Sequence, residues 1–468
     1  NLIKMALILL RARANIPVIV CGEAGCGKTS LIGFLAQVVE VKFKSLDLHA
    51  GVTEENILSF MVEAQQIADT SELWLFFDEI NTCNHIGLLA DLIAHRMLNG
   101  CQIHPNIRLF AACNPYRIRT KDQSNVGLST KAKKKEIRYE ERSNLVYQVK
   151  PLPDQILDYV WDYGILQEKE EERYILTMVL EALESDFKNP DMFANLIFRS
   201  QVFVREEEEP YSVSLRDVKR AITLVKFFND SFTKRSQLNE KNKYPSDDGI
   251  NISLRCYVLA LGLCYQCRLY DQIIRRRYRK EMAEIISEDM SKGSSKGSKS
   301  TGRKFKFSEE DFSNIIRQEQ EDYINRMTCP PNTAKNEALL ENVLVMIVCI
   351  LTKIPVFIIG APGSSKSLAV RLVSQNLKGF DSEDDYFRKL PQVYLIPHQG
   401  SSSSTSDGIL KVFEKANNYQ KTTSKEFPVI SVVLLDEVGL AETSPFNPLK
   451  VLHYLLEPPY GSDSQTVS

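Results

Sequence analysis

The run Gly22-Glu23-Ala24-Gly25-Cys26-Gly27-Lys28-Thr29 has the composition and spacing of a phosphate cradle. Gly22, Gly25 and Gly27 free the backbone to turn its N–H groups onto phosphate oxygens. Lys28 then reaches the outer phosphates, and the Thr29 hydroxyl is a ligand for Mg²⁺. Further along, Asp78 and Glu79 close the apolar run Leu73 to Phe77. At the carboxyl end of a central strand Asp78 faces the loop and holds Mg²⁺ through water, while Glu79 polarises the water that attacks a γ-phosphate. Asn114 ends a third apolar run, Ile107 to Cys113. Its amide either hydrogen-bonds the γ-phosphate or the attacking water, or simply forms a turn with Pro115. The chemistry these residues define is binding of a nucleoside triphosphate, ATP, with Mg²⁺, and its hydrolysis.

Such groups converge only if strands and helices alternate beneath them. Ile16 to Cys21 reads as the strand before the loop, and Leu31 to Val39 as the helix after it. Val41 to Leu48 reads as a second strand, and Thr53 with Glu55 and Asn56 opens a helix toward Ala64. The continuous apolar character of 73–77 fits a parallel strand covered on both faces, and Leu145 to Val149 is expected to close the sheet. From Pro151 the β signal fades and helices are expected over Asp154–Tyr163, Glu170–Glu184, Met192–Val204 and Leu215–Phe228. Ser214 caps the last of these with Asp217 at its third position, which puts Arg216 in the exposed first turn. Ser231 to Gly249 reads as a linker and Ile252 to Met290 as one long helical stretch. The bases Arg275, Arg276, Arg277, Arg279 and Lys280 on it are expected to be a solvated helix end. Ser291 to Gly302 has linker composition, and Ser308 with Asp311 caps a helix that stops near Cys329-Pro330-Pro331.

The opening pattern then recurs. Gly360-Ala361-Pro362-Gly363-Ser364-Ser365-Lys366-Ser367 follows Ile354-Pro355-Val356 just as the first loop follows Ile16-Pro17-Val18. Val432 to Glu437 echoes the first acidic strand, and both loops are preceded by an apolar helix. The chain thus holds two copies of one unit. In the second, Gly360, Gly363, Ser365 and Lys366 cradle phosphate, Ser367 and Asp436 are the Mg²⁺ ligands, and Glu437 is the base. Ser365 stands where glycine normally precedes the lysine, so a Cβ is expected to crowd the phosphate, and hydrolysis there is less secure than binding. Val343 to Ile359 is apolar enough to suggest a membrane span, yet Lys353 and Pro355 interrupt it, and a buried helix followed by a buried strand is expected instead.

The expected fold class is α/β: tandem P-loop modules, each a parallel sheet flanked by helices, with an intervening helical lid. The expected division is 1–150 for the first large subdomain, 151–290 for the lid, 291–333 for a linker and connecting helix, and 334–468 for the second large subdomain, cut short before its counterpart of Asn114. The 468 residues suffice for several such units. A hydrophobic content of 43% and a formal net charge of -2 are ordinary for a globular protein and give no general attraction to nucleic acid or anionic membrane. The basic run Lys131 to Lys135 lacks interleaved aromatics, so direct nucleic-acid binding is not expected. Ten cysteines without framework spacing fit a reducing, cytoplasmic setting. The chain opens inside a helix-like segment, Leu2 to Arg13, with no signal peptide and no transmembrane segment expected, as in a piece of a longer polypeptide.

Taken together, the phrases GEAGCGKTSL, FFDEINTCN, CNPYR, VWDYG, VSLRDVKRA, NEALLENVLVMIVCI, GAPGSSKSLA and LLDEVGLAE resemble AAA+ ATPase modules of the dynein-like branch. More narrowly they resemble the mysterin family of giant AAA+ RING-type E3 ubiquitin ligases, including the serine in the second loop. The resemblance implies the third and part of the fourth AAA+ module of such a protein. It implies Asn114 as sensor 1, Arg216 as sensor 2 and Arg142 as a candidate arginine finger, with Glu79 and Glu437 as catalytic bases. It also implies neighbouring modules of the same polypeptide as ring partners, each site being finished by the next module, so that the first site takes its arginine from beyond Ser468 and the isolated piece binds ATP with little turnover. Ubiquitin machinery and lipid-droplet association are implied for the parent alone. Two further readings are nucleotide as structural glue between modules, and part of a dynein-type motor.

Overall fold

In the computed structural model the description covers residues 2–23, 25–49, 51–117, 145–147, 149–164, 166–209, 211–238, 251–293, 306–422, 428–442, 444 and 448–456. The basic run 131–135, Arg142 and most of the Ser/Gly/Lys segment lie outside them. The chain divides into two compact units. One holds Asn1–Ile165, Pro397–Glu414 and Leu435–Ser468, and the other holds Leu166–Ile396 and Lys415–Leu434.

The first unit is built on a five-stranded sheet ordered β2-β3-β6-β1-β7. Its strands are β1 (Val18–Cys21), β2 (Lys42–Asp47), β3 (Leu73–Asp78), β6 (Ile107–Cys113) and β7 (Val160–Asp162); β4 (Met97–Leu98) and β5 (Cys101–Gln102) form a separate hairpin. All neighbouring strands of the sheet run parallel. Crossover helices therefore cover both faces, which is why β3 reads as an unbroken apolar run. Its alternate side chains enter different cores. Leu73, Leu75 and Phe77 pack with the faces of α3 (Glu54–Ala68) and α4 (Ile86–His95), while Trp74 and Phe76 pack with α1 (Leu2–Arg13) and α2 (Lys28–Val38). Thr53 caps α3 through a capping box with Asn56, as its position predicts.

Two expectations fail at the far edge of the sheet. Leu145–Val149 is not its closing strand, and helix over Asp154–Tyr163 stops at Leu157. The slot beside β1 is taken by β7, with Ile19 opposite Val160 and Cys21 opposite Asp162. Val160 and Trp161 supply one apolar side chain to each face, whereas the earlier segment runs into Pro151 and Pro153, which cannot donate to a ladder.

The second unit is helical around one large core. Helices span Glu168–Leu183, Pro190–Glu207, Leu215–Ser236, Ile252–Cys264, Gln272–Gly293, Glu309–Asn325, Glu337–Thr352 and Lys366–Asn376. The expected linker from Ser231 is helical to Ser236, because Ser231 and Phe232 are buried and Arg235 pairs with Glu319 at 2.5 Å and Asp322 at 2.7 Å. The stretch Ile252–Met290 is two helices, broken by a 3-10 turn over Gln266–Arg268. The basic cluster on the second of these is not simply solvated. Arg275 is buried and grips Glu341 with both terminal nitrogens at 2.7 and 3.0 Å, and Arg279 holds Glu309 at 2.5 Å. Beyond the buried helix Glu337–Thr352, the expected strand is missing. Residues 354–360 adopt no regular structure, with Phe357 64% and Ile359 73% exposed. The strand β1 is held by β6 and β7, but among the described residues β8 (Gln392–Gln399) and β9 (Val429–Asp436) form a sheet of two, with one further antiparallel bridge from Gln392 to Lys378.

Candidate functional site

The first loop leaves β1 at Gly22 and enters α2 at Lys28. Gly22 is tightly packed, since a Cβ there would lie 3.1 Å from both Cys26 Sγ and Tyr163 Cβ and would push those neighbours back by a few tenths of an ångström. Gly27 precedes the helix at φ 85°, in the left-handed region that favours glycine. The Lys28 ammonium donates to the carbonyls of Gly22 at 2.6 Å and Glu23 at 3.0 Å, and to Asn114 Oδ1 at 3.2 Å. The Thr29 hydroxyl donates to Asp78 Oδ2 at 2.5 Å. Asn114 Nδ2 donates to Glu79 Oε1 at 3.3 Å. Lys28, Thr29, Asp78, Glu79 and Asn114 are thus brought into one hydrogen-bonded constellation at the carboxyl ends of β1, β3 and β6, and Gly25 turns the loop beside them at φ 78°.

Burial holds the Asp78 carboxyl above its ordinary value of 3.8; the Thr29 hydrogen bond opposes this, and neighbouring Glu79 adds to it. A carboxylate held in this way lacks enough positive charge around it, which suits a cation site. Glu79 sits in the left-handed region at φ 51°, and Glu437 repeats that geometry at φ 52°. Such strain is retained where surroundings over-determine it, often at functional turns.

Several participants were not visible in the sequence. Glu23 is clamped by Arg117 at 2.8 Å and by the Tyr147 hydroxyl at 2.6 Å. Asn81 fixes Asn114 from behind, its amide donating to the Asn114 carbonyl at 2.7 Å. Lys450, from the second copy but within the same compact unit, faces Glu79; burial pushes its ammonium below the ordinary lysine value, and the Glu79 carboxylate pulls it back up. Their contacts join positions far apart in the chain, so no local spacing reveals them.

In the second copy, Lys366 donates to the Gly360 carbonyl at 2.5 Å, to Ala361 at 3.0 Å and to Ser364 Oγ at 3.2 Å, repeating the first loop's self-contact. Gly363 and Ser365 lie at φ 84° and 61°, matching Gly25 and Gly27. Ser367 begins the helix with Lys366. Asp436 and Glu437 end β9, with the Glu437 N–H donating to Asp436 Oδ1 at 2.9 Å, as Glu79 does to Asp78; they fall in the first compact unit and Lys366 in the second. Arg216 occupies the exposed first turn of its helix, where Ser214 and Asp217 form the expected capping box.

A parallel sheet flanked by helices, with a P-loop at the edge where its acidic strand ends, defines an α/β AAA+ module. Family models described as RNF213 AAA domain match residues 1–117 and 332–467. The chain is 33% identical over 484 residues to the E3 ubiquitin-protein ligase rnf213-beta of Danio rerio, which covers 98% of this chain and 9% of that protein. It is 34% identical over 494 residues to E3 ubiquitin-protein ligase RNF213 of Homo sapiens, again with 98% of this chain and 9% of the relative covered. This chain belongs to the RNF213 (mysterin) family and spans about a tenth of the length of those relatives. Among solved structures it is similar to a RuvB mutant of Thermotoga maritima, at 14% identity and a TM-score of 0.29, covering 56% of this chain and 74% of that one. Among the described residues no helix is long and apolar enough to cross a membrane.

Proposed function

We propose that this stretch binds ATP with Mg²⁺ at its first P-loop and hydrolyses it, and that its second P-loop holds a nucleotide with slower or no turnover. The observation that carries the reading is the joined set Thr29-Asp78 and Lys28-Asn114-Glu79, in which the loop lysine, the loop threonine, both strand-end acids and the Asn114 amide are each within one hydrogen bond of another member. Lys28, now satisfied by backbone carbonyls, exchanges them for phosphate oxygens. Thr29 and Asp78 would hold Mg²⁺, which when bound neutralises charge on the phosphates. Asn114, oriented by Asn81, keeps the Glu79 carboxylate aimed at the position from which water attacks, and Glu79 accepts that water's proton. In the second copy Lys366 and Ser367 are the counterparts of Lys28 and Thr29 by position in the repeat, and Asp436 and Glu437 those of Asp78 and Glu79.

In this reading 1–150, 151–290, 291–333 and 334–468 act as large subdomain, lid, connector and second large subdomain. Arg216 serves as sensor 2, and Arg142 acts on a neighbouring module. Hydrolysis drives rearrangement of a ring formed with other modules of the same polypeptide. The relatives' names give ubiquitin ligation as the purpose of the whole protein, which we place in the cytoplasm and, by resemblance, at lipid droplets. Single-turnover hydrolysis of radiolabelled ATP by the full-length parent and its Glu79→Gln variant tests the reading. A variant that still binds ATP but cleaves it at least a hundredfold more slowly supports it, and unchanged cleavage refutes it.

A further inference from the structure

Two cysteines frame the first P-loop. Cys21 ends β1 and Cys113 ends β6, and the two are direct partners in the parallel register. Registered partners point to the same face of a sheet. Cys113, 1% exposed, lies in the core on the α3 and α4 side, and Cys21, half-buried, packs against that same core. Neighbouring strands lie about 4.8 Å apart, at the short end of the Cα separations a disulfide spans. Both are free thiols. The residue after each is part of the site: Gly22 supplies the carbonyl that holds Lys28, and Asn114 holds Lys28 by its amide oxygen. The strand ends are also tied directly, the Gly22 N–H donating to the Cys113 carbonyl at 3.3 Å.

We propose that Cys21 and Cys113 form a peroxide-responsive thiol pair whose oxidation to a disulfide switches off nucleotide binding at the first P-loop. The Cys21 thiolate attacks one oxygen of a hydroperoxide, the O–O bond breaks, and the departing oxygen leaves as water once protonated, giving a sulfenic acid. The Cys113 sulfur then attacks the Cys21 sulfur, the S–O bond breaks, and hydroxide leaves as water with the Cys113 proton. Two thiols lose two electrons and the peroxide gains them. The order follows from the environment. Hydrogen bonding from Cys113, with help from the Lys28 charge, draws the Cys21 thiol down to about 7 against the cost of burial, while the same contact and burial push Cys113 up. Closing the bond pins the ends of β1 and β6 to each other and favours a separation slightly wider than the strand spacing, which shifts Gly22 and Asn114 from the positions at which the loop and the Asn114 amide meet the nucleotide.

The proposal deepens the ATP-binding reading and rests on it, so the test separates the two. The 468-residue chain is treated with hydrogen peroxide, then with dithiothreitol. Peptides are mapped by mass spectrometry without reduction, and affinity for a fluorescent ATP analogue is measured at each stage. A peptide linked through Cys21 and Cys113, with at least tenfold weaker binding that dithiothreitol restores, is the expected result. Cys113→Ala should stop at a dimedone-reactive Cys21, and Cys101→Ser, at an exposed position, should change nothing. No linked peptide, or a linked peptide with unchanged affinity, overturns the proposal. Failure of the reduced protein to bind the analogue overturns the ATP reading, and the switch with it, whether or not the linked peptide forms.

Discussion

The Thr29 hydroxyl donates to Asp78 Oδ2 at 2.5 Å, which ties the first turn of the P-loop helix to the end of the acidic strand. The bond occupies both groups with each other, and a divalent cation has to part them.

This relationship makes Asp78 expensive to keep ionised. Its folded value is raised above the ordinary 3.8, chiefly by burial. The contribution is therefore fully present below the ordinary value of 3.8 and is lost as pH rises through the higher folded value. At neutral pH the carboxylate is a local penalty until a cation arrives. Asp78→Asn should raise the unfolding midpoint of the nucleotide-free protein, each kcal/mol gained being worth about 2–4 °C in a unit of this size. It should also abolish the further rise that Mg²⁺ and ATP produce. Calorimetry at pH 7 with and without Mg·ATP checks both.

Ser365 holds the left-handed conformation, φ 61°, that glycine holds at Gly27, φ 85°. The space at Gly27 is open, with nothing within 4 Å of an added Cβ. A side chain there meets conformational cost but no protein crowding. Ser365→Gly should stabilise the chain by about 0.5–1 kcal/mol net, and Gly27→Ser should cost a similar amount. Denaturant midpoints measure each.

Glu23 is held by Arg117 and Tyr147, and its carbonyl receives Lys28. Glu23→Gln with Tyr147→Phe should loosen the loop and weaken ATP binding about three- to tenfold, with little effect on overall unfolding, since these contacts lie at the rim. Titration of each variant with a fluorescent ATP analogue reads the change.

Much of this was legible in the chain because the chemistry is local. Gly22 to Thr29, the acids after β3 and the caps at Thr53, Ser214 and Ser308 are set by neighbours within a few residues, and all appear where the spacing puts them. What was missed depends on distant partners. Val160 to Asp162 becomes a strand because β1 has an open edge, and Ile354 to Gly360 stays irregular because nothing described pairs with it. Arg275 is buried because Glu341 meets it there, against the solvated reading its neighbours favoured. Lys450 comes within the electrostatic influence of Glu79 through a fold that a repeat in the sequence does not reveal.

The central claim is that Lys28 and the groups joined to it hold a magnesium nucleotide. Isothermal titration of Mg·ATP into the 468-residue chain and its Lys28→Met variant tests it most directly. The account predicts saturable binding in the parent and the loss of one equivalent of site in the variant, while binding dependent on Lys366 persists. Equal stoichiometry and equal heats from the two proteins would contradict it.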